Sequence, residues 1–233
     1  DENYINNHYV LMVTKKGQVK KTVLEQYSRP RVNGINAISI KDGDELLSAV
    51  LTDGKNQVML GLRSGKALRF EEKHIRPMGR GAAGVKGITL ASDKDEVIGM
   101  ICVKNPQDET VLVVSEKGYG KRTFIDDEDG EPVYRITNRG GKGVKTISIS
   151  EKTGELVALK TVQDEDDLMI IKKSGIAIRM SVSDIRTMGR STQGVRLISL
   201  KGDDEIAAVA KIVNEDADES DDQIETNNEI VTE

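Results

Sequence analysis

From Val10 onward, apolar and polar positions fall into blocks that follow the same order four times. The segments VLMVTKKGQVKKTVL (from Val10), VMLGLRSGKALRFEE (from Val58), VLVVSEKGYGKRTFI (from Val111) and LMIIKKSGIAIRMSV (from Leu168) begin each unit. Each holds an apolar run, a polar turn ending in Gly, and a second run with a basic residue four positions after that Gly. The turn glycines are Gly17, Gly65, Gly118 and Gly175, a period of 48 to 57 residues; the basic residues are Lys21, Arg69, Arg122 and Arg179. Runs of five to seven β-branched and aliphatic residues bounded by Gly or acidic turns predict strands, and the Gly turns join two of them at hairpin distance.

The rest of each unit repeats as well: SRPRVNGINAISI, RPMGRGAAGVKGITL, ITNRGGKGVKTISI and RTMGRSTQGVRLISL share Gly34, Gly84, Gly143 and Gly194. An Arg stands four residues before this loop glycine in the last three units (Arg80, Arg139, Arg190), and a basic residue two after it (Lys86, Lys145, Arg196). The first unit departs, with Arg29 and Arg31 flanking Pro30 and with Asn36 at the later position. An acidic turn and a last apolar run close each unit. About four strands recurring near every 50 residues predict an all-β, propeller-like array of about four four-stranded antiparallel blades. The units are bounded at about 10–56, 57–109, 110–166 and 167–213, after a lead-in segment 1–9. Residues 71–75 and 182–185 are the only stretches that read as helical, and both are short.

Charge changes the picture. The formal net charge is −5, yet nine of the 39 acidic residues and none of the 34 Lys and Arg lie in 214–233. Residues 1–213 therefore carry +4, and a mildly basic body precedes an acidic segment that composition predicts to be disordered. That segment serves either solubility or as a DNA mimic that screens a basic surface. Cys102 is the single cysteine, which excludes an intrachain disulfide, fits a reducing cytoplasm and reads as a buried strand residue. With two histidines, His8 and His74, a zinc site of the usual kind is excluded, and His74 reads as a turn residue. The acidic run 126–129 reads as a solvated loop. No apolar run is long enough to span a bilayer, so no membrane partner is expected.

The second unit contains a literal G-x-G-x-x-G at Gly79, Gly81 and Gly84. The fingerprint needs a strand before it and a helix after it. Here the counterpart in the fourth unit, GRSTQG, lacks the middle glycine, and β-branched sequence follows. A dinucleotide loop is therefore not expected. Gly, Arg and Lys together suit backbone phosphates instead, because Gly permits close approach and Arg donates in a planar fork. The alternative is a set of solvated turns between blades. Aromatic residues make up only 3% of the chain, which argues against stacking on single strands.

The repeated hairpins, the M-G-R-x-x-x-G-V-[KR] loops and the segment YRITNRGGKGVKTISI resemble the C-terminal domain of the DNA gyrase A subunit, from about Tyr9 to Val213. That resemblance implies a β-pinwheel, with strands exchanged between blades and a basic rim that bends and wraps duplex DNA. It assigns the rim to Arg29, Arg31, Arg80, Lys86, Arg139, Lys142, Lys145, Arg190 and Arg196, with hairpin support from Lys21, Arg69, Arg122 and Arg179. Asn138, Arg139, Gly140, Gly141, Lys142 and Gly143 are similar to the family's gyrase box, Q-[RK]-R-G-G-[RK]-G. The leading Gln is absent, and the box stands in the third unit rather than the first blade. It is either a wrapping element or a degenerate copy. The resemblance further implies a fragment with the later of about six blades. Such a fragment has no catalytic residue and no cofactor of its own, ATP and Mg²⁺ being used elsewhere in the holoenzyme. Its partners would be duplex DNA, the B subunit and the rest of the A subunit (A2B2), in the cytoplasm on the bacterial chromosome. The corresponding domain of topoisomerase IV and a protein-interaction propeller are the alternatives.

Overall fold

The computed structural model describes residues 2–212; the acidic segment 214–233 lies outside the described residues. The first unit supplies β1 (Tyr9–Thr14), β2 (Gln18–Val23) and β3 (Leu46–Thr52). The second supplies β4 (Gln57–Leu62), β5 (Lys66–Glu71), a two-residue strand β6 (Val85–Lys86) and β7 (Val97–Val103). The third follows with β8 (Thr110–Ser115), β9 (Tyr119–Phe124), short β10 (Ile136–Thr137) and β11 (Val144–Lys145), and β12 (Leu156–Val162). The fourth has β13 (Asp167–Lys172), β14 (Ala177–Ser181), short β15 (Val195–Arg196) and β16 (Ile206–Ile212). Two 3₁₀ turns, Glu72–His74 and Val182–Asp184, stand where helical character was expected; a third at Leu24–Tyr27 and a six-residue helix α1 (Glu2–Asn7) were not anticipated.

Every blade is a hairpin plus the unit's last strand, which pairs back on the hairpin's first strand: β3-β1-β2, β7-β4-β5, β12-β8-β9 and β16-β13-β14. The fourth strand comes from the next unit. β6 pairs with β2 (Val19↔Val85), β11 with β5 (Ala67↔Val144) and β15 with β9 (Gly120↔Val195). The second and fourth units thus hold four strands as expected, and the exchange between blades that the resemblance implies completes the first three blades; the second blade also receives β10 alongside β5. The last blade keeps only three strands, because among the described residues no following unit offers a loop to β14.

Side chains one apart on a strand point to opposite faces, so a strand between two blades must be apolar at every position. The central strands obey this. Val58 and Leu60 of β4 join the core against blade 1, while Met59 joins the core against blade 3. Val111 and Val113 of β8 face blade 2, and Leu112 and Val114 face blade 4. Three cores lie between four blades, and each buried Val, Leu or Ile contributes about 1.5–3 kcal/mol. No unit could bury both faces alone.

Candidate nucleic-acid interface

The glycine loops of the second, third and fourth units are each mounted on the blade that precedes them. Each touches the second hairpin strand twice. The first touch is parallel, seven residues before the loop glycine (Lys21↔Pro77, Arg69↔Ile136, Arg122↔Thr187); the second is antiparallel, just after it. Between the two touches the chain arches outward. Gly143 makes the arch possible: its φ is +71°, and a Cβ there would stand 2.6 Å from the Ala67 carbonyl oxygen. Only glycine meets both demands at once. Gly194 repeats the arrangement against Gly120, at 2.6 Å. A Cβ at Gly79 or Gly81 of the G-x-G-x-x-G would meet nothing within 4 Å, and the strand β6 follows them, so the nucleotide fingerprint is coincidental.

Of the sequence-assigned cations, Arg29, Arg31, Lys86, Lys142, Lys145 and Arg196 are exposed on these loops. Lys86, Lys142 and Lys145 have side chains with no hydrogen bond or ion pair among the described residues. Arg196 leans on Tyr119, donating to its hydroxyl at 3.2 Å with the guanidinium 5.6 Å from the ring centroid. The hydrogen bond from Arg196 lowers the Tyr119 pKa. Arg80, Arg139 and Arg190 are half-buried, each bonded to backbone of the preceding loop. Asn138 is exposed, Gly140, Gly141 and Gly143 are half-buried, and this box-like loop borders a pocket of about 430 Å³ with Arg135, Arg139 and Lys142 in its wall.

The hairpin cations require a correction. Lys21, Arg69 and Arg122 are not on the surface but 4%, 2% and 7% exposed. Each crosses to the next unit. Lys21 pairs with Glu72 at 3.4 Å and lies 4.9 Å from the Tyr9 ring centroid. Arg69 pairs with Asp126 and donates to the Ile125 and Tyr134 carbonyls. Arg122 pairs with Asp164 and donates to the Ile185 carbonyl. The acidic run 126–129 is therefore not wholly solvated, since Asp126 receives Arg69. Arg179, the fourth of the set, has no following blade among the described residues and stays exposed, paired with Asp167 at 2.6 Å. Cys102 is half-buried in β7, and burial pushes its thiol pKa up to about 12.

Three further basic residues escaped the sequence reading. Arg76, Arg135 and Arg186 each stand eight before the loop glycine, all are exposed, and their side chains bond to no described residue. The signal was there: RPMGR, RITNR and RTMGR share R-x-x-x-R.

Repeated three-stranded blades, the first three each finished by the next unit's glycine loop with basic residues on it, define a β-pinwheel-type propeller. The chain matches the family described as DNA gyrase C-terminal domain, beta-propeller, over residues 8–53, 63–104, 109–127, 133–163 and 166–212, and it belongs to that family. It is similar to the DNA gyrase A subunit of Staphylococcus aureus: 47% identical over 91% of this chain (strain MRSA252) and 44% over 97% (strain NCTC 8325 / PS 47). It spans about a quarter of those relatives' length, 23% and 25%. Among solved structures, the C-terminal domain of DNA topoisomerase IV superposes with a TM-score of 0.80 at 26% identity, covering 89% of this chain and 62% of the other. A DNA gyrase A C-terminal domain gives 0.75 at 25% identity, covering 89% and 67%.

Proposed function

We propose that this chain binds duplex DNA without sequence preference and bends it around the basic loops, as the wrapping element of a DNA gyrase A subunit. In that reading it acts with the B subunit and the remainder of its own subunit in ATP-dependent negative supercoiling. It supplies no catalytic group itself and works in the cytoplasm on the bacterial chromosome. The observation that carries the reading is the placement of exposed cations: the same side chains recur on the same loop positions of successive blades. A path of regularly spaced charge suits a stiff polyanion whose backbone, not its bases, is contacted. The 47% identity with a Staphylococcus aureus gyrase A subunit supports the gyrase reading.

The test is duplex-DNA affinity of the 233-residue chain against salt. Releasing one counterion per contact gives a slope of about −0.9 per phosphate in a plot of log K against log salt. Six to eight contacts predict a slope of about −5 to −7. A slope shallower than about −2, or no binding at low salt, would remove the proposal.

A further inference from the structure

Each of three loops carries two arginines four residues apart, and their surroundings differ in the same way every time. The first, Arg76, Arg135 or Arg186, is exposed, and its side chain bonds to no other described residue. The second reaches sideways to the preceding loop and donates to the carbonyl two residues past that loop's glycine. Arg80 Nη1 donates to Asn36 O (3.4 Å), Arg139 Nη1 to Lys86 O (3.0 Å) and Arg190 Nη1 to Lys145 O (2.8 Å). Arg139 adds a bond from Nε to His74 O at 3.0 Å. A backbone bond runs beside each: Ser39 N–H to Ala82 O (3.3 Å), Thr89 N–H to Gly141 O (2.8 Å) and Ser148 N–H to Thr192 O (3.1 Å). Three loops of different sequence thus keep one geometry.

We infer that Arg80, Arg139 and Arg190 are positioning residues that latch consecutive loops together. Contact with DNA phosphates then falls to Arg76, Arg135 and Arg186, with Lys86, Lys145 and Arg196. The second half rests on the DNA reading above; the latch itself does not. The chemistry supports the division. A guanidinium held by a carbonyl has fewer donors to offer and must break a charge-assisted bond to turn outward. The carbonyls chosen by Arg139 and Arg190 are those of Lys86 and Lys145, so the two arginines hold the peptides that present two of the exposed cations. Stiff DNA pressed against loops that could slide would straighten and carry the loops with it. Loops fixed in spacing impose the bend instead.

Two double variants separate the roles. Arg139→Lys with Arg190→Lys keeps both charges but loses the planar reach to the carbonyls. Arg135→Gln with Arg186→Gln removes two unbonded charges and leaves the latches. Three readouts are taken on the 233-residue chain: amide exchange at Thr89 and Ser148 without DNA, the salt slope of duplex affinity, and the bend of an end-labelled duplex by energy transfer. The Lys variant is expected to speed exchange at Thr89 and Ser148 about tenfold and reduce the bend, with the slope unchanged. The Gln variant is expected to leave exchange unchanged and make the slope shallower by about 1.8, or about 0.9 per contact. Unchanged exchange in the Lys variant overturns the latch. An unchanged slope in the Gln variant, beside a shallower one in Arg139→Gln with Arg190→Gln, reverses the assignment of phosphate contacts. If the unsubstituted chain shows no salt-dependent binding, the DNA reading falls, and amide exchange alone decides whether the latch exists.

Discussion

Lys121 shows how a single side chain organises a loop. It is fully buried, and its ammonium donates to Gly189 O (2.5 Å), Arg190 O (2.7 Å) and Thr192 Oγ1 (3.0 Å). Lys20 does the same two blades earlier, bonding Ala37 O at 2.5 Å and the Arg80 carbonyl. The corresponding residue between them is Leu68, which has no donor. There the loop is tied sideways instead: Gly140, at φ +82°, donates its N–H to Gly87 O of the preceding loop at 2.6 Å. Burial, and secondarily Arg190, lowers the Lys121 pKa to about 8. A lysine whose pKa is depressed on folding binds fewer protons folded than unfolded, so its contribution to stability improves as pH rises from about 8 towards the unfolded value near 10.4. Lys121→Met should destabilise by about 1–3 kcal/mol at pH 7 by stranding carbonyls. The gap to the unsubstituted chain should widen between about pH 8 and about pH 10.4 in denaturant titrations. A constant gap would mean the amine is not titrating in that window.

At the scale of the element, equivalent positions make paired tests. Arg69 and Arg179 occupy the same place in their hairpins, one buried against the next blade and one exposed. Arg69→Ala strands Asp126 and should cost about 3–5 kcal/mol. Arg179→Ala removes an exposed pair and should cost at most about 1 kcal/mol. Similar losses at both sites in urea unfolding would contradict a blade-joining role for Arg69. Gly143→Ala adds a close carbonyl to the about 1–3 kcal/mol that a positive φ demands, whereas Gly34→Ala meets nothing within 4 Å and should cost only the backbone part. The same contrast shows what the sequence could convey. Strand runs, turn glycines and loop glycines were legible because each is a local pattern. The fate of a basic residue four after the turn glycine was not. Its acidic partner stands as far as 57 positions away, as Asp126 does from Arg69, and a surface cation has the same periodicity. Arg76, Arg135 and Arg186 were readable but hidden beside the second arginine of each pair, which the repeat made conspicuous.

Across the whole molecule, the array is uneven from end to end. A Cβ at Gly175, the last turn glycine, would meet nothing within 4 Å, while one at Gly65 or Gly118 would press against Ile147 or Ile198 of the next unit's loop. β13 and β14 are accordingly half-exposed where β4, β5, β8 and β9 are buried almost throughout. In a repeat array, stability is a sum of unit and interface terms, so a blade with one interface opens more readily than a blade with two. Amides of β13, β14 and β16 should therefore exchange faster than those of β4 and β8, by a factor of roughly ten or more under native conditions. Uniform protection across all four blades would refute the gradient. The loop of the fourth unit should not follow its own blade, because β15 is paired to β9 of blade 3 and Lys121 of blade 3 fills the loop from beneath. Mounting each loop on the preceding blade thus separates the exposed cations from the least protected sheet. Slow exchange at Leu197, whose N–H donates to Gly118 O at 2.8 Å, beside fast exchange at β14 would establish that separation directly.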